Sequence, residues 1–215
     1  AAHPRTSSSQ DDVAIPFHAV TALISALGYR DAGTADHSRR VADLCVKVGS
    51  QLMAVGECYV LEIAALLHDI GKIGVPDAIL LKPSPLTKEE WEIMGIHDRM
   101  GVEIVDSAFN SPELTEIIQT HHAFYGGQGR QTDLPTGEDI PLGSRILSIA
   151  DTYDAIVSDR VYRKGRSPQA AFDELRRCAG TQFDPDLVEQ FINCVSSETQ
   201  TPDEADLEVN KKTAL

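Results

Sequence analysis

The sequence predicts an all-α bundle with an added C-terminal helical segment, and three observations carry that expectation. Helix starts recur along the chain: Thr87 with Glu90 three residues on has the spacing of a capping box, and Ser111-Pro112, Ser167-Pro168 and Asp184-Pro185 each set an N-cap side chain before a proline at the first helical position. Residues 60 to 70 are apolar almost throughout, the pattern of a helix buried on most of its circumference. Strand signals are scarce.

The expected helices cover residues 13–28, 36–55, 58–71, 88–95, 98–107, 112–122, 141–158, 168–178 and 185–195. The first holds "FHAVTALISALGY", which His18 interrupts and which falls short of the ~20 apolar residues a membrane span needs, so no membrane insertion is expected. The third is the apolar run itself. Capping signals open the fourth, sixth, eighth and ninth, and the seventh carries the apolar stretch "SRILSIAD". Two segments read as loops: "GKIGVPDAILLKPSPL", and "YGGQGRQTDLPTGEDIP", whose glycines and prolines forbid a helix. Residues 1–12 read as a flexible N-terminal segment, 13–195 as one domain and 196–215 as a polar, acidic, loosely attached tail.

With 215 residues and 42% hydrophobic content the chain can bury one good-sized core. A net charge of -14 argues against an extended DNA- or RNA-binding surface, since a polyanion would be repelled at long range. Cys45, Cys58, Cys178 and Cys194 show no CxxC spacing, so reduced thiols in a cytoplasmic protein are expected. The sequence starts at Ala1 without a signal-peptide core, and both a preceding sensor or receiver domain and a homodimer stay open as partners.

The stretch "EIAALLHDIGKIGVP" poses a problem, because it puts His68, Asp69 and Lys72 into the most apolar part of the chain. A buried carboxylate stays ionised only beside a cation or several hydrogen-bond donors. The chain has seven histidines, and five of them, His37, His68, His97, His121 and His122, lie at or near the ends of expected helices. Asp151 sits in the middle of another buried helix. Singly, each is explained by hydrogen bonding in a core. Together, a metal centre would solve the desolvation problem of all of them.

The segments "HSRRVA", "LLHDIGKIGVPDAILLKP", "LTKEEWEIMGIH", "HH" at 121 and 122, and "IPLGSRILSIADTYDAIVSDRVYRKGRS" resemble the HD-GYP phosphodiesterases over roughly residues 30 to 195. The resemblance implies an HD-domain helical bundle that hydrolyses cyclic di-GMP, a bacterial signal, at a non-haem centre of two divalent metal ions. By position, one ion would take His37, His68 and Asp151, the other His97, His121 and His122, with Asp69 bridging and serving catalysis. Seven residues would then supply eight donor positions, leaving about four of twelve open for a bridging hydroxide and two phosphate oxygens if both ions are six-coordinate. Two divalent ions balanced by two carboxylates keep a double positive charge, which one hydroxide and one phosphodiester neutralise. Five imidazoles disfavour magnesium; iron or manganese suits the set, and zinc suits it less at six-coordination.

Lys72 would share the face of His68 and Asp69 if the third helix continued that far, and its ammonium would bind a phosphate oxygen or stabilise the leaving group; otherwise it meets the helix dipole. Arg160 and Arg163 would reach the second phosphate or a guanine, or else pair with Asp154 and Asp159. After the paired histidines the family runs E-R-W-D-G-x-G-Y-P, whereas this chain has "AFYGGQGRQ". Ala123 replaces an acid, Gly126 an aspartate, Arg130 the tyrosine and Gln131 the proline, with one extra residue before Gly137. Gly126, Gly127 and Gly129 suggest a mobile loop, and Arg130 is either a substrate contact able to shift preference among cyclic dinucleotides or a solvent-facing loop arginine. Gly33 stands where trinuclear members carry Glu, which again implies two metals, and Asp36 cannot replace it on the His37 face. Two other functions stay open: a degenerate scaffold that binds without turnover, and an HD phosphohydrolase acting on another nucleotide.

Overall fold

Side-chain caps open half of the α-helices in the computed structural model, which describes residues 15–127, 129, 133–159 and 164–197. The chain runs through α1 (Phe17–Arg30), α2 (Ala32–Leu52), α3 (Val55–Leu67), a 3-10 turn (Ile70–Gly74), α4 (Asp77–Leu80), α5 (Lys88–Met94), α6 (Ile96–Ala108) and α7 (Pro112–Thr120). A second 3-10 turn (Gly137–Asp139), α8 (Leu142–Val157), α9 (Pro168–Cys178) and α10 (Pro185–Ser196) complete it. Among the described residues β-structure is limited to one bridge, Ala179 to Phe183, so the all-α expectation holds. Each expected cap is made: Thr87 accepts from the Glu90 amide, Ser111 from Leu114, Ser167 from Ala170, and Asp184 from Asp186 and Leu187.

α3 is the central helix. Leu61, Ile63, Ala64, Ala65 and Leu67 are fully enclosed, with α1, α2, α7 and α8 packed around them. That accounts for a run apolar on nearly every side. α9 and α10 close the far side of α8, where Tyr153 stacks on Phe172 at 5.5 Å and meets Phe191 edge-on at 5.3 Å.

Several boundaries differ from expectation, the first helix among them, which begins at Phe17 after Pro16 rather than at residue 13. α2 begins at Ala32 rather than at residue 36, because Asp31 caps it by accepting from the Thr34 amide at 3.2 Å. α3 ends at Leu67 rather than at 71, and the chain tightens into the 3-10 turn that carries Lys72. The following segment, expected as a loop, contains α4. Arg30, at the end of α1, holds it there by pairing with Asp77 at 2.7 Å and donating to the Val75 carbonyl. No described helix is long and apolar enough to cross a membrane. The segment expected at 1–12 lies outside the described residues, and of the tail expected at 196–215, Ser196 is the last residue of α10, Ser197 caps it and 198–215 lie outside them.

Candidate metal centre

Helix ends aim three of the histidines. The last turn of a helix leaves carbonyls without intrahelical partners, and an imidazole just beyond can donate to one of them. His68 Nδ1 donates to Ala65 O at the end of α3 (2.8 Å), His97 Nδ1 to Met94 O at the end of α5 (2.6 Å), and His121 Nδ1 to Ile118 O at the end of α7 (2.6 Å). With Nδ1 protonated and occupied, Nε2 is the nitrogen left with its lone pair, which is the arrangement that suits a metal ligand.

His37 is aimed by side chains. It lies on α2 one turn before Arg40, opposite Asp151 and Asp154, which are one turn apart on α8. Its Nδ1 donates to Asp154 Oδ2 at 2.6 Å and its Nε2 faces Asp151 Oδ1 at 3.0 Å. Arg40 forks onto Asp154 at 2.7 and 2.9 Å, and Ser158 donates to the same carboxylate at 3.0 Å. Burial alone would lower the His37 pKa, but the hydrogen bonds to Asp151 and Asp154 outweigh it and raise the value to about 9. Burial likewise works to raise the Asp154 pKa, yet His37 and Arg40 hold it down at about 2.

Asp69 lies between the two halves of the cluster and is 4% exposed. Its Oδ2 is 3.5 Å from His68 Nε2 and its Oδ1 is 3.6 Å from His97 Nε2. Lys72 Nζ reaches Oδ2 at 2.5 Å out of the 3-10 turn, so the lysine meets Asp69 directly rather than by a continued helix. Burial would push the Asp69 carboxyl up, but Lys72, His68, His97 and His37 hold it well below the usual range. Gly71 makes this meeting of segments sterically feasible. A Cβ there would lie 1.9 Å from the His97 carbonyl oxygen and 2.5 Å from the Gly101 amide nitrogen.

The seven expected metal residues come together. Ring centroids run from His37 to His68 at 5.6 Å, His68 to His121 at 5.5 Å, His121 to His122 at 3.8 Å, and His97 to His122 at 6.1 Å. Donor atoms of His37, His68 and Asp69 lie within 4.8 Å of one another, and so do those of His97, His122 and Asp98. Asp98 was missed from the sequence, where an acid in the first turn of a helix needs no explanation beyond the dipole. Asp36 is turned away and pairs with Arg39 at 2.7 Å.

The donors fit a divalent ion. Adjacent ligands with bonds of ~2.1 Å stand about 3.0 Å apart in an octahedron and about 3.4 Å apart in a tetrahedron. The closest pairs around Asp151, Asp69 and Asp98 span 3.0 to 3.6 Å. His121 Nε2 is buried without a hydrogen-bond partner, a costly position for a lone pair unless a cation takes it. Burial first, then His122 and His68, lowers the His121 pKa to about 3, and burial lowers that of His122 to about 4, so both rings stay neutral and able to ligate. Burial opposes ionisation of Asp151, but His37 and His68 keep it well below the usual carboxylate range.

The loop after the paired histidines is anchored where it is described, contrary to the mobility its glycines suggest. Tyr125 donates its amide to Gln182 O at 3.1 Å and Gly126 to Thr181 O at 2.8 Å, so the loop lies on the connection between α9 and α10. A Cβ at 126 would meet Gly180 O at 3.0 Å and Thr181 O at 3.1 Å, so the family's aspartate would crowd this backbone. Ala123 is buried. Arg130, Gln131, Arg160 and Arg163 lie outside the described residues. Among the described residues, Asp154 holds His37 and Arg40, and Asp159 pairs with Lys164 at 3.0 Å.

An HD domain family model matches residues 22–187. A cyclic di-GMP phosphodiesterase from Thermotoga maritima is 43% identical over 169 residues, covering 76% of this chain and 45% of the relative. A 3'3'-cGAMP-specific phosphodiesterase from Vibrio cholerae is 36% identical over 173 residues, covering 79% of this chain and 33% of the relative. The chain thus spans less than half the length of these curated relatives. Among solved structures, a HDG"Y"P protein from Bdellovibrio bacteriovorus superposes with a TM-score of 0.62 at 15% identity, covering 84% of this chain and 63% of that one, a likeness of fold.

Proposed function

The chain belongs to the HD domain family, and from that premise we propose that it hydrolyses a cyclic dinucleotide, cyclic di-GMP in the first instance, at a centre of two divalent ions. The supporting observation is the placement of Asp69: each of its oxygens faces a different imidazole group, at 3.5 Å and 3.6 Å. His37, His68 and Asp151 would hold one ion, His97, His121 and His122 the other, and Asp69 would bridge. Iron or manganese suits this donor set better than zinc. Bound there, two such ions supply an activated water and electrostatic stabilisation of the phosphodiester.

The chain's own residues would supply orientation and charge. The carbonyl-bound imidazoles and the His37–Asp154–Arg40 chain hold the donors in place without substrate, so little reorganisation is left to the reaction. Lys72, whose side chain is 22% exposed beside buried Asp69, would offer its ammonium to a phosphate oxygen or to the departing alkoxide. The altered loop bears on substrate choice rather than on hydrolysis. Gly126, packed on the Gly180–Thr181 backbone, and Arg130 replace two residues of the family loop, and a relative at 36% identity is named for 3'3'-cGAMP. Cleavage of 3'3'-cGAMP alongside cyclic di-GMP is therefore part of the proposal.

Metal analysis of anaerobically purified protein, paired with product chromatography on both cyclic dinucleotides, tests it. About two iron or manganese ions per chain and linear products are expected. A fully metallated protein that binds a cyclic dinucleotide without cleaving it would establish a scaffold instead.

A further inference from the structure

We infer that Asp98 is an additional ligand of the ion held by His97, His121 and His122, an inference that rests on the two-ion reading above. Consecutive residues on a helix do not normally face each other, since they diverge by about 100°. Yet Asp98 Oδ1 turns back to 3.1 Å from the Nε2 of its neighbour His97, and lies 3.4 Å from His122 Nε2. His97 Nδ1 is engaged with Met94 O, so the nitrogen that Asp98 approaches is the one available to a metal. These separations are those of adjacent donors on one ion, and the donor atoms of His97, Asp98 and His122 form a compact group without any other residue.

A carboxylate at this point makes the two halves unequal. The ion near His97 would have five protein donors, counting one oxygen of Asp69, and the ion near His37 would have four. If both are six-coordinate, most of the open positions belong to the His37 side, and the phosphodiester would be bound chiefly there. A third carboxylate also removes one positive charge from the centre, which the Lys72 ammonium beside Asp69 restores. Lys72 then has an electrostatic role toward the anionic substrate in addition to any direct contact.

The test uses metal-free protein dialysed against Mn2+, comparing the parent with Asp98→Asn, Asp98→Ala and the surface control Asp36→Asn. The parent and the control should bind two ions per chain, and both Asp98 variants should keep one at parental affinity while the other weakens at least ~10-fold. A parent that binds fewer than two ions would refute the two-ion reading and this inference with it. Two ions bound equally tightly by parent and both variants would refute the role of Asp98 alone. Asp98→Cys loaded with Co2+ separates direct ligation from an effect on His97: a thiolate-to-cobalt charge-transfer band absent from the parent is expected, and its absence would overturn the assignment.

Discussion

Gly71→Ala should pull the two halves of the centre apart. The added Cβ would stand 1.9 Å from the His97 carbonyl oxygen, whereas carbon and oxygen settle at about 3.3 Å or more, so the 3-10 turn and the start of α6 must separate by about 1.4 Å. Displaced along the same line, Asp69 Oδ1 would move from 3.6 Å to about 5 Å from His97 Nε2. Two donors with bonds of ~2.1 Å to one ion cannot be more than about 4.2 Å apart, so the bridge would fail. Overpacking of this kind costs about 1–3 kcal/mol, which for a domain of this size lowers Tm by roughly 2–12 °C. Gly101→Ala is the control, because its Cβ finds nothing closer than 3.5 Å. Thermal melts with and without Mn2+, together with dialysis stoichiometry, should show Gly71→Ala less stable and short of one tightly bound ion. Parental Tm and two tight ions in that variant would refute the reasoning.

Asp69→Asn should abolish turnover and lose at least one ion, because a neutral amide bridges two cations poorly; unchanged metal content would leave Asp69 a core hydrogen-bonding residue. Lys72→Ala should lower the rate by about 10²-fold with both ions retained, and equal rates in variant and parent would confine Lys72 to its pairing with Asp69. Metal-free protein should be most stable near neutral pH. His121 and His122, lowered to about 3 and about 4, take up protons more readily when unfolded, so stability falls as pH drops below ~6.5. His37, raised to about 9, contributes stability that is complete below ~6.5 and is lost as pH rises through 9. Melts near pH 5, 7 and 9 should therefore peak at the middle value, and a Tm that rises steadily from 5 to 9 would contradict these assignments.

Capping chemistry made much of the fold legible, since Thr87, Ser111, Ser167 and Asp184 each act locally and leave a local signature. The end of α3 was not legible: the turn at 70–74 is set by how closely Gly71 approaches α6, a contact across distant parts of the chain. The histidines and Asp69 stood out because polar groups in apolar surroundings demand partners. Asp154 and Arg40 did not, although each lies three residues from an expected ligand, Asp151 and His37, on facing helices. That matched spacing is the signal that would have found them. Asp98 carried none, because its significance depends on the direction its side chain takes.

The two backbone hydrogen bonds from Tyr125 and Gly126 to Gln182 and Thr181 tie the loop beside His122 to the junction of the last two helices. A displacement of α10 would therefore reach the backbone beside His122 through main-chain hydrogen bonds, independently of which side chains stand at 125, 126, 181 and 182 so long as none is proline.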